Sequence, residues 1–177
     1  VGGAAAPSSR SFILLASGAV GFAFFLLEIV WYRMLSPLLG GSVFTFGLIL
    51  SVALLGIGIG GGVYSFGRSK VPPRLNAFAI TCLLEAFFVA LGFALGDRIA
   101  VLALFLRSFG AVGFVGYVVG LTCVTAIGVL PVAIASGYQF PMLIALLGRG
   151  DSNVGRDVGL AYATNTAGAI VGSIAGG

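Results

Sequence analysis

The amino-acid sequence predicts an all-α protein: a polytopic transmembrane helical bundle of about five spans plus a short interfacial or kinked segment. Three observations carry that prediction. Only 8% of the 177 residues are charged and 59% are hydrophobic, whereas a soluble domain carries about 25% charged residues. So few charges cannot coat a water-soluble globule of this size. Apolar runs of about 18 residues or more recur along the chain, long enough to cross a hydrocarbon core roughly 30 Å thick. Many of the 29 glycines fall four residues apart, a spacing that lays a smooth patch along one helix face and lets backbones approach closely in lipid.

The elements are taken here in chain order. Residues 1–11 (VGGAAAPSSRS) form a small-residue tail, and residues 12–35 the first span, too long for a cleaved signal peptide. Glu28 lies toward the outer end of that span. Trp31 and Arg33 come next as an interfacial aromatic anchor beside a snorkelling cation. Glu28 and Arg33 are five residues apart, so they occupy different helix faces and need not pair. The stretch LSPLLGGS, with Pro37, Gly40 and Gly41, predicts a turn. A second span covers 43–66, and GRSKVPPR, with Arg68, Lys70 and Arg74, is the clearest loop.

A third span, 76–96, ends at Gly96-Asp97-Arg98. The apolar residues 99–106 number only eight between Arg98 and Arg107. That is too short to cross a bilayer and predicts an interfacial or re-entrant segment. The fourth span covers 110–132. Pro131 and Pro141 interrupt the stretch up to residue 148, which is either a kinked continuation of that span or a separate short helix. RGDSNVGRD is a polar loop, and 158–177 the last span. Because this apolar run reaches Gly177 without a polar flank, the natural chain is expected to continue past it.

Basic residues orient such a bundle. An N-terminus in the cytoplasm puts Arg10, Arg68, Lys70, Arg74, Arg149 and Arg156 inside and Arg33, Arg98 and Arg107 outside. Six against three favours that orientation. The same reading accounts for the net charge of +4. There is no basic stripe interleaved with aromatics to follow a phosphate backbone, which excludes nucleic acid as a partner.

Gly56-Ile-Gly58-Ile-Gly60-Gly61 satisfies the Gly-x-Gly-x-x-Gly pattern of a dinucleotide loop. That loop must follow a buried strand, open a helix and be trailed by an acidic residue about 20 positions on. Here no turn precedes the glycines, and no carboxylate occurs between Gly61 and Glu85. The helical alternative fits: Gly56/Gly60 and Gly58/Gly62 are each spaced by four, as are Gly92/Gly96, Gly116/Gly120 and Gly168/Gly172/Gly176, which predicts close-packed helix faces.

Chemistry is thinly represented. With no histidine and only Cys82 and Cys123, each alone in an apolar run, the usual zinc and haem ligand sets and Ser–His or Cys–His catalytic pairs are missing. No metal and no cofactor is implied. The remaining candidates are the intramembrane polar residues. An ionisable group inside a span costs about 2.5–3.5 kcal/mol on insertion scales and so asks for a reason. Glu85 sits near mid-span and is expected to face the bundle interior, with Gln139, Tyr138, Tyr162 or Asn165 as partners. Glu28 and Glu85 either line a cavity for a cation or are buried, hydrogen-bonded carboxyls. Asn165 fits better as glue between helices than as a ligand contact.

Several segments, taken in order, resemble one family. Glu28-x-x-Trp31-x-Arg33 lies in the first span, and Gly41-Ser42-Val43-Phe44 runs into the glycine ladder of the second. LPVAIASGYQFPMLIAL comes later, and GLAYATNTAGAIVGSIAGG closes the chain. Together they resemble the membrane domain of bacterial membrane-bound spermidine synthase-like proteins, a multi-span domain fused to a cytosolic aminopropyltransferase domain. The resemblance covers nearly the whole chain, and Asn-Thr-x-Gly-Ala is its most specific part. It implies residence in the bacterial inner membrane and polyamine as a partner. Aminopropyl transfer needs a Rossmann-like fold and acidic residues for the amine. None of these 177 residues supplies that fold, so no catalytic residue is carried over. The expected role is to anchor, and to exchange polyamine with, a transferase domain outside this chain. The alternatives are a structural subunit of a larger membrane complex and a transporter-like module for an organic cation.

Overall fold

Hydrocarbon offers a backbone no hydrogen-bonding partner, so a chain this apolar must close its N–H and C=O groups within each segment. The computed structural model describes residues 9–67, 73–147 and 154–177, and they are helical almost throughout, with no strand. The helices are α1 (Arg10–Leu39), α2 (Val43–Gly67), α3 (Leu75–Ala94), α4 (Gly96–Arg107), α5 (Phe114–Leu147) and α6 (Val154–Gly176), with a 3-10 turn over Ser108–Val112. All but α4 are long and apolar enough to cross a membrane. The molecule is a membrane-embedded, multi-pass helical bundle. Its outward faces carry bare apolar side chains such as Leu15, Phe44, Phe66 and Leu83, all strongly exposed, which suits contact with lipid.

Several boundaries differ from those the sequence predicts. Helix α1 runs through Pro37 to Leu39, and the turn is made by the glycine pair alone. Gly40 at φ +98° and Gly41 at φ +64° take the left-handed conformation, which costs a side-chain-bearing residue energy that glycine avoids. The Gly40 N–H closes the helix on the Ser36 carbonyl at 3.0 Å. Helix α5 passes through both Pro131 and Pro141 as one element of 34 residues, the continuation rather than the separate short helix. Each proline removes one intrahelical donor without ending the helix, as neighbouring helices allow in membranes. Helix α6 begins at Val154, so Arg156 and Asp157, assigned to a loop from sequence, lie in its first turn. A carboxylate there complements the positive end of the helix dipole.

The third span is interrupted only at Leu95, where the backbone departs from helical geometry (φ −94°, ψ 5°) before α4 restarts at Gly96. Residues 99–106 are therefore helical. Glu85 of α3 meets Ser136 and Gln139 of α5, and Leu106 of α4 meets Gly120. As the α3–α4 numbers rise, the α5 numbers fall, so α4 carries α3 onward antiparallel to α5. Ile99 and Ala103 tie it to the core. Twelve residues reach about 18 Å, so α4 alone is too short to cross. The 3-10 turn and Gly113, at φ +120°, then reverse the chain into α5.

Packing interleaves the two ends of the sequence. Helix α1 lies chiefly on α6, and α2 chiefly on α5. Both pairs are parallel: Gly18, Phe22 and Ile29 meet Gly168, Gly172 and Gly176, and Gly56 and Gly60 meet Ala133 and Gly137. A Cβ at Gly168, Gly172, Gly60 or Gly137 would collide with the facing backbone. Two buried clusters result. One holds Phe24, Trp31, Ile49, Ile99 and Val129; the other holds Ile13, Tyr64, Phe78, Met142 and Ala161 toward the Arg10 end.

The glycine expectation is therefore half right. Gly56/Gly60 and Gly168/Gly172/Gly176 are close-contact faces, but a Cβ at Gly58, Gly62, Gly92 or Gly96 would meet nothing within 4 Å. Residues two apart differ by about 200° around a helix, so Gly56/Gly60 and Gly58/Gly62 point nearly opposite ways and only one pair faces α5. Of the inward-count cations, Arg68, Lys70 and Arg149, like residues 1–8 of the tail, lie outside the described residues.

Candidate functional site

The polar residues assigned to one intramembrane site fall in separate places. Glu85 is the best organised. It is half-buried on α3, a helix whose one buried apolar side chain is Phe78. Its Oε1 accepts from the Ser136 hydroxyl at 2.5 Å and its Oε2 from the Gln139 amide Nε2 at 2.7 Å. Ser136 is 4% exposed and Gln139 fully buried. They lie three residues apart on α5, the spacing that brings side chains onto one helix face. The carboxylate thus works as a clasp between α3 and α5. Gln139 Oε1, on the far side of that amide, is buried without a partner among the described residues.

Glu28 stands elsewhere. It is 7% exposed, between Phe24 and Trp31 on the inward face of α1, and makes no hydrogen bond or ion pair among the described residues. Asn165 donates through Nδ2 to the backbone carbonyl of Ser17 at 3.0 Å, holding α6 on α1 beside Gly21. Ser17 precedes Glu28 by eleven residues, about 16 Å along the same helix. Tyr162 is 55% exposed and packs edge-on against Phe140, with ring centroids 4.8 Å apart. Among the described residues, neither carboxyl lines the apolar cavities found beside Trp31, beside Pro131 and beside Tyr117. Glu28, Glu85, Gln139, Tyr162 and Asn165 therefore do not converge; only Glu85 and Gln139 meet.

The proposed anchors divide likewise. Trp31 is 6% exposed and packs edge-on against Phe24 inside the bundle. Its position three residues after Glu28 puts it on the same inward face of α1. Arg33 is exposed, and its guanidinium donates to the Gly177 carbonyl at 2.5 Å and not to Glu28. At the opposite end, Arg10 of α1 pairs with the buried Asp157 of α6, a clamp invisible from spacing because the partners are 147 positions apart. Cys82 is half-buried and Cys123 exposed, both free, so Cys123 faces outward and is not a packing residue. No group of acidic and thiol side chains among the described residues is placed to hold a metal.

Sequence reasoning missed Ser136 as a Glu85 partner, although its spacing from Gln139 was a usable signal. It also missed Gly18, Gly21 and Gly137 as the opposing halves of the glycine contacts. Compared with family models, curated proteins and solved structures, the chain finds no match in any of the three.

Proposed function

We propose that this chain is the membrane domain of a bacterial spermidine synthase-like protein, an anchor that holds aminopropyl-transferring machinery at the inner membrane. The observation that carries the reading is the seam between α1 and α6. The opening segment SGAVGFAFFLLEIVWYR and the closing YATNTAGA, which holds the most specific part of the resemblance, pack face to face. Asn165 bonds to the Ser17 carbonyl, and Gly168 and Gly172 seat on Gly18 and Phe22. In this reading Glu85 is structural, and polyamine, the partner the resemblance implies, is handled by the transferase outside these residues. Glu28 and Glu85 share no hydrogen bond and sit on α1 and α3, which do not touch, and this favours an anchor over an organic-cation transporter.

The test is the transfer of the aminopropyl group from decarboxylated S-adenosylmethionine to putrescine in washed membranes of the host bacterium. Deleting the coding region for this chain should abolish the membrane-bound activity; undiminished activity would overturn the proposal. The orientation, N-terminus in the cytoplasm, is supported by Arg10, Arg74 and Arg156 against Arg33, Arg98 and Arg107, with Arg68, Lys70 and Arg149 adding to the inner side in sequence. Alkaline phosphatase fused after Lys70 should be inactive, and strong activity there reverses the topology.

A further inference from the structure

Glycines do two different jobs in this bundle. At Gly21, Gly56, Gly60, Gly137, Gly168 and Gly172 a Cβ would run into the backbone or side chain of a neighbouring helix. At Gly92, Gly96 and Gly128 it would meet nothing within 4 Å, although all three residues are half-buried. These three come from α3, α4 and α5 and line one cavity of about 260 Å³, closed on its fourth side by Trp31 and Leu35 of α1. The missing side chains hollow the cavity. Its lining is apolar, and Phe93, 61% exposed, forms part of it, so it opens to the outside of the bundle.

Dimensions and charge identify an occupant. Along the α3–α4 arm the cavity runs from Phe88 to Ala100, and along α1 from Leu27 to Leu38. Either measure is roughly 16–18 Å of helix rise, close to the roughly 15 Å of hydrocarbon in one leaflet. Its volume falls below the ~300–1,000 Å³ of pockets for drug-sized ligands and suits a single chain. At this end of the bundle three exposed cations, Arg33, Arg98 and Arg107, outnumber Asp97. Arg98 adjoins the lining residue Ile99 and makes no ion pair among the described residues. Arg107 donates to the carbonyl of the lining residue Leu38 at 3.0 Å.

We propose that this cavity is a lipid-binding site, taking one acyl chain of an anionic phospholipid whose phosphate sits at Arg107. The chain fills the glycine-lined hollow against Trp31, and Arg107 selects the headgroup.

Trp31 is the only tryptophan in the sequence and lines the cavity, so its fluorescence reports on the occupant directly. The purified protein is placed in phosphatidylethanolamine vesicles containing a rising fraction of phosphatidylglycerol brominated on its chains. Quenching of Trp31 should saturate at a low fraction of brominated phosphatidylglycerol and be weaker with brominated phosphatidylethanolamine. Arg107→Gln should raise the fraction needed for half-quenching about fivefold. Gly92→Leu, or Gly128→Leu from the other wall, should fill the space and remove the saturable quenching with the helical circular dichroism unchanged. Quenching that rises linearly and equally with both lipids would mean surrounding bulk lipid only. Absence of quenching would mean a hollow shut to lipid, whether empty or covered by a second copy. Either result overturns the proposal.

Discussion

A single carboxylate decides how α3 is attached. That helix buries only Phe78 among its apolar side chains, while Leu83, Leu84 and Phe87 around Glu85 face outward. Hydrophobic burial cannot hold helices together where lipid is as apolar as the side chains, so the two bonds from Ser136 and Gln139 to Glu85 supply much of the specificity. Removing the acceptor strands both donors in the interior. Glu85→Ala should lower stability by about 1–3 kcal/mol, read as the shift in unfolding by a denaturing detergent. Glu85→Gln, which keeps one acceptor but opposes an amide N–H₂ to one donor, should fall between Ala and wild type. An Ala variant as stable as wild type would reduce the clasp to a bystander. Glu85 was legible in sequence as an intramembrane carboxyl needing a partner, and Gln139 was among the partners named. Ser136 was not, because a serine in an apolar helix commonly bonds its own backbone, as Ser51 and Ser65 do here.

At the scale of helices, the sequence announces where spans lie more clearly than which way they face. Runs near 20 apolar residues locate α1, α2, α3, α5 and α6 because bilayer thickness fixes that length. Rotation about each axis is set by the partner, which the run itself does not encode. Gly58/Gly62 and Gly56/Gly60 are equally good patches in sequence, and contact with Ala133 and Gly137 selects the second pair. The consequence is a sharp contrast. Gly60→Leu and Gly168→Leu should each destabilise by about 1–3 kcal/mol or prevent assembly, since the added side chain has backbone in its way. Gly58→Leu and Gly62→Leu should leave the melting temperature in detergent nearly unchanged, because their side chains enter open space. Equal effects at the two pairs would contradict the observed rotation of α2. The α4 segment illustrates the other limit of sequence reading. Gly96-Asp97-Arg98 looks like a span end, yet the helix resumes within two residues because Ile99 and Ala103 find core partners in α5.

For the whole molecule, the order of assembly is dictated by which helix packs on which. Neighbours in sequence are poor neighbours in space: α1 and α2 share the Gly40-Gly41 turn, yet each lies mainly on a helix from the far half of the chain, α6 and α5. Neither half can seat its glycine faces alone. Gly18 and Gly21 await Gly168 and Asn165, while Gly56 and Gly60 await Ala133 and Gly137. The Arg10–Asp157 pair also joins the halves. Inserted helices associate through such contacts after each has formed on its own, so the two halves should find each other without a covalent link between α2 and α3. Cutting the chain between residues 67 and 73 and co-expressing the fragments 1–67 and 73–177 should therefore yield a complex that purifies through a tag on either piece. The complex should fail to form when Gly60→Leu and Gly168→Leu are combined, because those changes block the two seams that cross the cut. Fragments that insert but never co-purify would mean the halves fold independently, and the parallel pairing of α1 with α6 and of α2 with α5 would have to be abandoned.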